Sequence, residues 1–201
     1  MDRKLTSDET KELEHLMRNI PKWKQKVAGK SLPMEKFYIK KTERYWVQDR
    51  QLVLPIFELC FVWNFFKVLG KKWEVAENVY KVIERKQKEL ESTKFANGAY
   101  DADNKALVLL LKGACLFQMN SPLQAEECFH AVVSLEKKIK DDHYLVPYSL
   151  VQLANIYSSR GDVQRAITMF EDVKKKYTGY SLESRLHFQI HSALMELSKV
   201  K

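Results

Sequence analysis

The sequence predicts an all-helical fold assembled from repeated helical hairpins, about nine helices in all, and three observations carry that prediction. Apolar residues recur at spacings of three and four along nearly the whole chain, the signature of amphipathic helices. Only six Gly and five Pro occur in 201 residues, too few to turn a sheet of many short strands. A short pattern of small and aromatic residues also returns along the chain, each time behind a turn signal. Hydrophobic residues at 45% and charged residues at 30% exclude a disordered chain, and the length allows one domain or two small ones.

The elements follow in order. Thr6-Ser7-Asp8-Glu9 is a capping start, Leu13, Leu16, Met17 and Ile20 form one apolar face, and Pro21 ends the first helix. Ser31-Leu32-Pro33 opens a second helix carrying Phe37 and Tyr45, and a third runs from Pro55 to about Leu69 before Gly70. The fourth spans about Lys72 to Ser92, and Asn97-Gly98 marks the loop after it. Asp101 to Met119 makes the fifth. Ser121-Pro122 caps and opens a sixth that ends near Lys140. Pro147 opens the seventh, behind an Asp141-Asp142 cap. Gly161-Asp162 turns it into the eighth, Gly179 closes that, and Ser181 caps a ninth.

The repeat is the most informative signal. Ala125-Glu126-Glu127-Cys128-Phe129 returns 41 residues later as Ala166-Ile167-Thr168-Met169-Phe170. Turns precede both, at Asn120-Ser121-Pro122 and Arg160-Gly161-Asp162, and helices with Gly113 and Ala154 twelve positions before each Ala come earlier still. This is the tetratricopeptide (TPR) pattern, in which a small residue lets two helices approach and Ala-x3-Phe seals the pair. Ala76 and Tyr80, behind Trp63, Gly70 and Trp73, form a more degenerate copy. Intervals of 49 and 41 residues exceed the roughly 34 of the standard repeat, so extended helices or long connections are expected. The predicted organisation is two basic helices over residues 1–51, then three TPR-like hairpins and a capping helix over 52–201.

Long segments of the chain resemble the tetratricopeptide repeat protein 39 family. They are AGKSLPMEKFYIKK (Ala28 to Lys41), VWN (Val62 to Asn64), LLKGACL (Leu110 to Leu116), QAEECF (Gln124 to Phe129), EKKIKDDHYLVPYSL (Glu136 to Leu150) and YSLESRLHFQIHSAL (Tyr180 to Leu194). Members of that family are usually far longer, so the resemblance implies a C-terminal portion or a short form. It also implies an interaction scaffold with no catalytic motif to carry over, and a link to lipid or sterol homeostasis and protein turnover.

Motifs of chemistry are sparse. Ala28-Gly29-Lys30-Ser31 imitates the end of a phosphate loop, but the Gly required five residues before Gly29 is Lys24. His187 and His191, with Glu183 four before, place three ligand types on one helix face, and a hydrogen-bonding role between helices is the preferred reading. No Ser or Cys has a base at motif spacing. No enzyme, metal or cofactor is therefore expected. Cys60, Cys115 and Cys128 lie among apolar residues without a CxxC pair, which favours a reducing, cytoplasmic setting and buried thiols. Leu52 to Leu69 is broken by Pro55, Glu58, Asn64 and Lys67, against a membrane span.

Two surfaces remain as candidates. The net charge of +8 is uneven, with 13 basic and 8 acidic residues in 1–50. Lys22, Lys24, Lys26 and Lys30, then Lys36, Lys40, Lys41 and Arg44, form a basic patch suited to an anionic membrane surface, with nucleic acid the less favoured partner. The TPR register places Leu107, Leu110, Ala114 and Phe117, and then Tyr148, Val151, Asn155 and Ser158, along the groove. That lining is apolar and lacks the Lys and Arg of a clamp for acidic tails. The expected ligand is an amphipathic helix or hydrophobic protein segment, unless a neighbouring helix of the same chain fills the groove. A non-catalytic adaptor is thus the leading expectation, and a peripheral membrane protein using its basic N-terminal helices is the alternative.

Overall fold

A computed structural model describes residues 5–27, 30–92 and 98–199, with the side chains of 26, 27, 30 and 31 left aside. Ten α-helices and one two-residue strand pair occur among the described residues. The helices divide into two compact units, Met1–Leu52 and Val53–Lys201.

In the first unit, α1 (Ser7–Asn19) begins at the capping box read from the sequence. The Glu9 amide donates to Thr6 Oγ1 at 3.3 Å, and the Thr6 amide to Glu9 Oε2 at 2.8 Å. No residue of α1 is fully buried, so its apolar face is only partly covered. β1 (Lys26–Val27) and β2 (Lys30–Ser31) pair antiparallel, an addition to the wholly helical expectation. Residues 28 and 29 of the phosphate-loop lookalike lie outside the described residues. Pro33 takes the first turn of α2 (Pro33–Val47), where its missing N–H costs nothing. Trp46 near the end of α2 lies under the guanidinium groups of Arg18 and Arg50, 4.8 and 5.9 Å from its ring centroid. Arg50 also pairs with Glu14 at 2.7 Å, which fastens the end of α2 to α1.

The second unit is a run of hairpins. It comprises α3 (Pro55–Val62), α4 (Phe66–Leu69), α5 (Trp73–Ser92), α6 (Asp101–Gln118), α7 (Pro122–Ser134), α8 (Leu145–Ser159), α9 (Val163–Lys176) and α10 (Glu183–Ser198). From α5 onward each helix packs on the next, and α6 also meets α8. This is the sequential packing of TPR-like hairpins, with α6–α7 and α8–α9 as two of them. Ala125, Phe129, Ala166 and Phe170 are all buried, together with Ala154 and Gly113. At Gly113 the helices approach so closely that a Cβ would stand 2.7 Å from Phe129 Cε1 and 3.1 Å from Cys128 Cβ. Cys115, two residues on and facing α5, is buried, and its S–H donates to the Ala76 carbonyl at 3.3 Å. Burial pushes its thiol up to about 11.

The repeat extends to the backbone. α6 and α8 both end on a residue with positive φ, Asn120 (58°) and Gly161 (85°). In both, the following amide reaches back to the helix: Ser121 to Leu116 O and Asp162 to Tyr157 O, each at 2.9 Å, closing a Schellman-type end. α3 ends in the same way at Asn64 (φ 66°), with the Phe65 amide on Cys60 O at 2.8 Å. That turn corrects the single helix expected from Pro55 to Leu69. Apolar periodicity runs through the break, but the backbone reverses at Asn64 and α4 stands apart. In α7 the expected end near Lys140 is also too late, because the helix stops at Ser134 and a 3-10 turn, Glu136–Lys138, follows.

The connector beyond that turn is organised by a residue of α6. Asp103, fully buried, accepts the backbone amides of Lys140, Asp141 and Asp142 at 2.9, 2.9 and 2.8 Å. The chain from α7 to α8 is pulled onto one carboxylate, and those amides leave any helical ladder. The N-cap of α8 is Tyr144, whose side chain makes no capping bond, and not Asp141 or Asp142. Similarly, α10 begins after Leu182 in a left-handed conformation, and not on a Ser181 cap.

Two stability outcomes follow from these contacts. Gly113→Ala should lower stability by about 1–2 kcal/mol in urea unfolding, since overpacking outweighs the helix-propensity gain of roughly 1 kcal/mol. Combined with Phe129→Leu, its added cost should shrink, as the double-mutant cycle would register. Asp103→Ala removes the acceptor of three backbone amides, one buried and two partly buried, and should cost about 2–3 kcal/mol, measured in the same way.

Candidate functional site

The predicted groove positions are mostly shut inside the second unit. Leu107, Leu110, Ala114, Tyr148 and Val151 are buried, whereas Phe117, Asn155 and Ser158 are half-buried. The cover is α3, from the same chain. Phe61 lies against Tyr148 with ring centroids 5.9 Å apart, and Tyr144 Oη, one turn earlier on α8, donates to the Glu58 carboxylate. α3 also packs on α6. From the opposite end of the array, Arg185 of α10 donates to the Val62 carbonyl at 3.1 Å and stacks over Trp63 at 4.8 Å. Tyr148 Oη donates to the Leu182 carbonyl at 3.3 Å, and burial raises its pKa, so it stays a donor through the neutral range. The first and last helices of the unit thus meet at the N-terminal turn of α8. The occupant is α3, a helix that sequence reasoning had placed within the repeats themselves.

The open remainder lies at the C-terminal ends of α6 and α8. Phe117 and Ser158 occupy equivalent places in successive repeats, and Asn155 sits one turn before Ser158. Beside this end runs a polar network that no sequence motif announces. Glu126 of α7 accepts from Tyr157 Oη at 2.9 Å and from Arg160 at 2.6 Å. Arg165 of α9 donates to the same Tyr157 hydroxyl at 3.0 Å and stacks on its ring at 3.8 Å. Burial alone would raise the Glu126 carboxyl, but the hydrogen bonds from Arg160 and Tyr157 and the Arg160 charge outweigh it and hold the group below its usual range. Each of three helices contributes, so the network ties one hairpin to the next.

The basic patch of the first unit is divided by burial. Lys22, Lys24, Lys36 and Lys40 are exposed. Lys41 and Arg44 are buried: the Lys41 ammonium lies 5.3 Å from the Phe37 ring centroid, and Arg44 Nε donates to Gln48 Oε1 at 3.3 Å. These two correct the reading of one continuous basic face, since a helical wheel counts their charge and misses the burial of their long stems. The side chains of Lys26 and Lys30 lie outside the described residues.

His187 stands 3.9 Å from Glu183, and its Nε2 is buried without a hydrogen-bond partner. His191 is exposed. Among the described residues, no three His, Cys, Asp or Glu side chains are grouped to hold a metal ion. The three cysteines are free thiols, with Cys115 buried and Cys60 and Cys128 half-buried. Among the described residues no helix is long and apolar enough to cross a membrane.

Stacked hairpins closed by Ala-Phe pairs and a groove between their first helices define a TPR-type repeat protein. The sequence profile described as Iml2/Tetratricopeptide repeat protein 39 matches residues 1–119, and the chain belongs to that family. It is 34% identical over 169 residues to Tetratricopeptide repeat protein ttc-39B of Caenorhabditis elegans. That alignment takes in 84% of this chain and 28% of the relative, so the chain spans under a third of that protein's length. No solved structure matches.

The Glu126 network sets a pH response. A carboxyl held low in the folded state contributes stability above its unfolded pKa, roughly 4.3, and loses it as pH falls through the folded value. Glu126→Gln should therefore lower the melting temperature at pH 7. The gap to wild type should close as pH drops below about 4, as thermal scans across pH would record.

Proposed function

We propose that this chain is a non-catalytic TPR-type adaptor that binds a protein partner through the end of its groove left open by α3. The observation carrying this reading is the half-exposure of Phe117, Asn155 and Ser158, where the same register is elsewhere sealed. Membership of a TPR family supports protein binding in general. A short amphipathic helix or hydrophobic segment is the ligand suited to such a site: Phe117 supplies an aromatic anchor and Asn155 and Ser158 supply polar groups. A part in lipid or sterol homeostasis would then be exercised through the partner.

The alternative is an anionic membrane met by the basic N-terminal helices; of the six patch residues whose side chains are described, four lysines are exposed and Lys41 and Arg44 are buried. Each exposed lysine is worth roughly 1 kcal/mol near such a surface. We therefore place the adaptor first.

The test is proximity labelling with the whole chain, followed by capture of each labelled partner by wild type and by a Phe117→Glu, Ser158→Glu pair. Recovery of a groove ligand should fall about tenfold or more, as for a central anchor. Partners that survive the pair unchanged would remove the groove from the account. Tyr148→Glu is unsuitable, because it buries a charge against Phe61 and unfolds the unit.

A further inference from the structure

The first hairpin departs from the other two at one place. In the later hairpins the buried Ala follows the left-handed turn by five residues, Asn120 to Ala125 and Gly161 to Ala166. After Asn64 the corresponding Ala76 comes only after α4 and a second turn. Insertions in repeat arrays commonly carry binding residues, and this one has an unusual composition. From Trp63 to Trp73 the chain reads WNFFKVLGKKW, with three lysines and no acidic residue.

Only part of that segment serves the fold. Phe66 is buried against Phe61, with ring centroids 5.8 Å apart. Phe65 and Val68, three apart around α4, are 58% and 56% exposed, and Trp73 is 59% exposed. Lys67, Lys71 and Lys72 are exposed among them. Upstream, Ile56 and Leu59 continue the exposed apolar surface along α3 toward Trp63. Exposed apolar side chains in such a cluster are not the ordinary scatter of a surface.

We propose that this α4 corner is a docking surface for an anionic phospholipid bilayer. Trp and Phe rings favour the headgroup–acyl boundary, and lysines beside them meet lipid phosphates and carboxylates while their stems lie along apolar surface. The lack of a carboxylate between Trp63 and Trp73 means that nothing in the segment repels the lipid charge. This surface belongs to the second unit and adjoins the groove end, where Gly70 packs against Gln118, but it uses none of the first unit's lysines and neither Phe117 nor Ser158. It adds a place where an adaptor can be held, and it stands or falls independently of the partner.

The experiment is co-sedimentation of the whole chain with phosphatidylcholine vesicles, with and without phosphatidylserine, at low and high salt. Wild type should bind the phosphatidylserine vesicles. Lys67→Gln, Lys71→Gln, Lys72→Gln together should weaken partitioning by about a hundredfold. Phe65→Ala, Trp73→Ala should abolish the part of the binding that resists high salt. All five positions are exposed, and circular dichroism melts matching wild type would verify that folding is kept. Neutralising Lys22, Lys24, Lys36 and Lys40 should leave most of the binding in place. The proposal is overturned if no vesicle binds, or if binding follows the N-terminal lysines and ignores the corner. It is equally overturned if the corner instead drives self-association in sedimentation equilibrium, lost in Phe65→Ala, Trp73→Ala.

Discussion

The second unit depends on how closely two helices of a hairpin can approach. At Gly113 the answer is set by the absence of a single carbon, with the Phe129 ring occupying the space where a Cβ would stand. Because the ring fills that gap, Ala125 and Phe129 are sealed from water and α7 presents its other side to α8. A hairpin closed in this way still has an uncovered face, and each neighbour covers the face of the last. The stack therefore propagates from a contact between residues sixteen apart in sequence.

The two ends of such a stack have no neighbour, and here they are treated differently. The first helix folds in: α3 lays Phe61 on Tyr148 and takes the Tyr144 hydroxyl on Glu58, occupying ground that an open TPR groove would offer to a ligand. Arg185 then joins α10 to the end of α3. What remains open is small and mixed in polarity, and suits a short segment better than a long peptide laid through the whole array.

Much of the fold was legible because its signals are local. The Thr6–Glu9 capping box, the Ala-x3-Phe pairs and the turns at Asn120 and Gly161 each lie within a few residues, and each forms as read. The site was less legible because it depends on contacts far apart in the chain. Periodicity shows that Tyr148 and Leu110 are apolar positions, but it does not show that α3 returns to cover them. The break at Asn64 was hidden by apolar residues on both sides, although Asn is among the few side chains that adopt a left-handed turn readily. Lys41 and Arg44 count as surface charge on any helical wheel, and their burial is a property of packing. Asp103 did leave a trace, a carboxylate in the first turn of α6 beside Asp101, and the natural reading of acids in a first turn is the helix dipole.

Asp103 also explains why the period is 41 residues and not the shorter standard interval. By gathering three consecutive amides, it turns the stretch between α7 and α8 into a folded connector of fixed path. The extra length of this repeat is structural material whose register is set by one side chain. Sequence length in the connector is consequently free to drift on the α7 side of Lys140, at the 3-10 turn. Between Lys140 and Asp142 an insertion or deletion would put the wrong amides before the carboxylate and shift α8 along its neighbours. Among homologues, variation in the spacing of these repeats should therefore cluster on one side of that boundary.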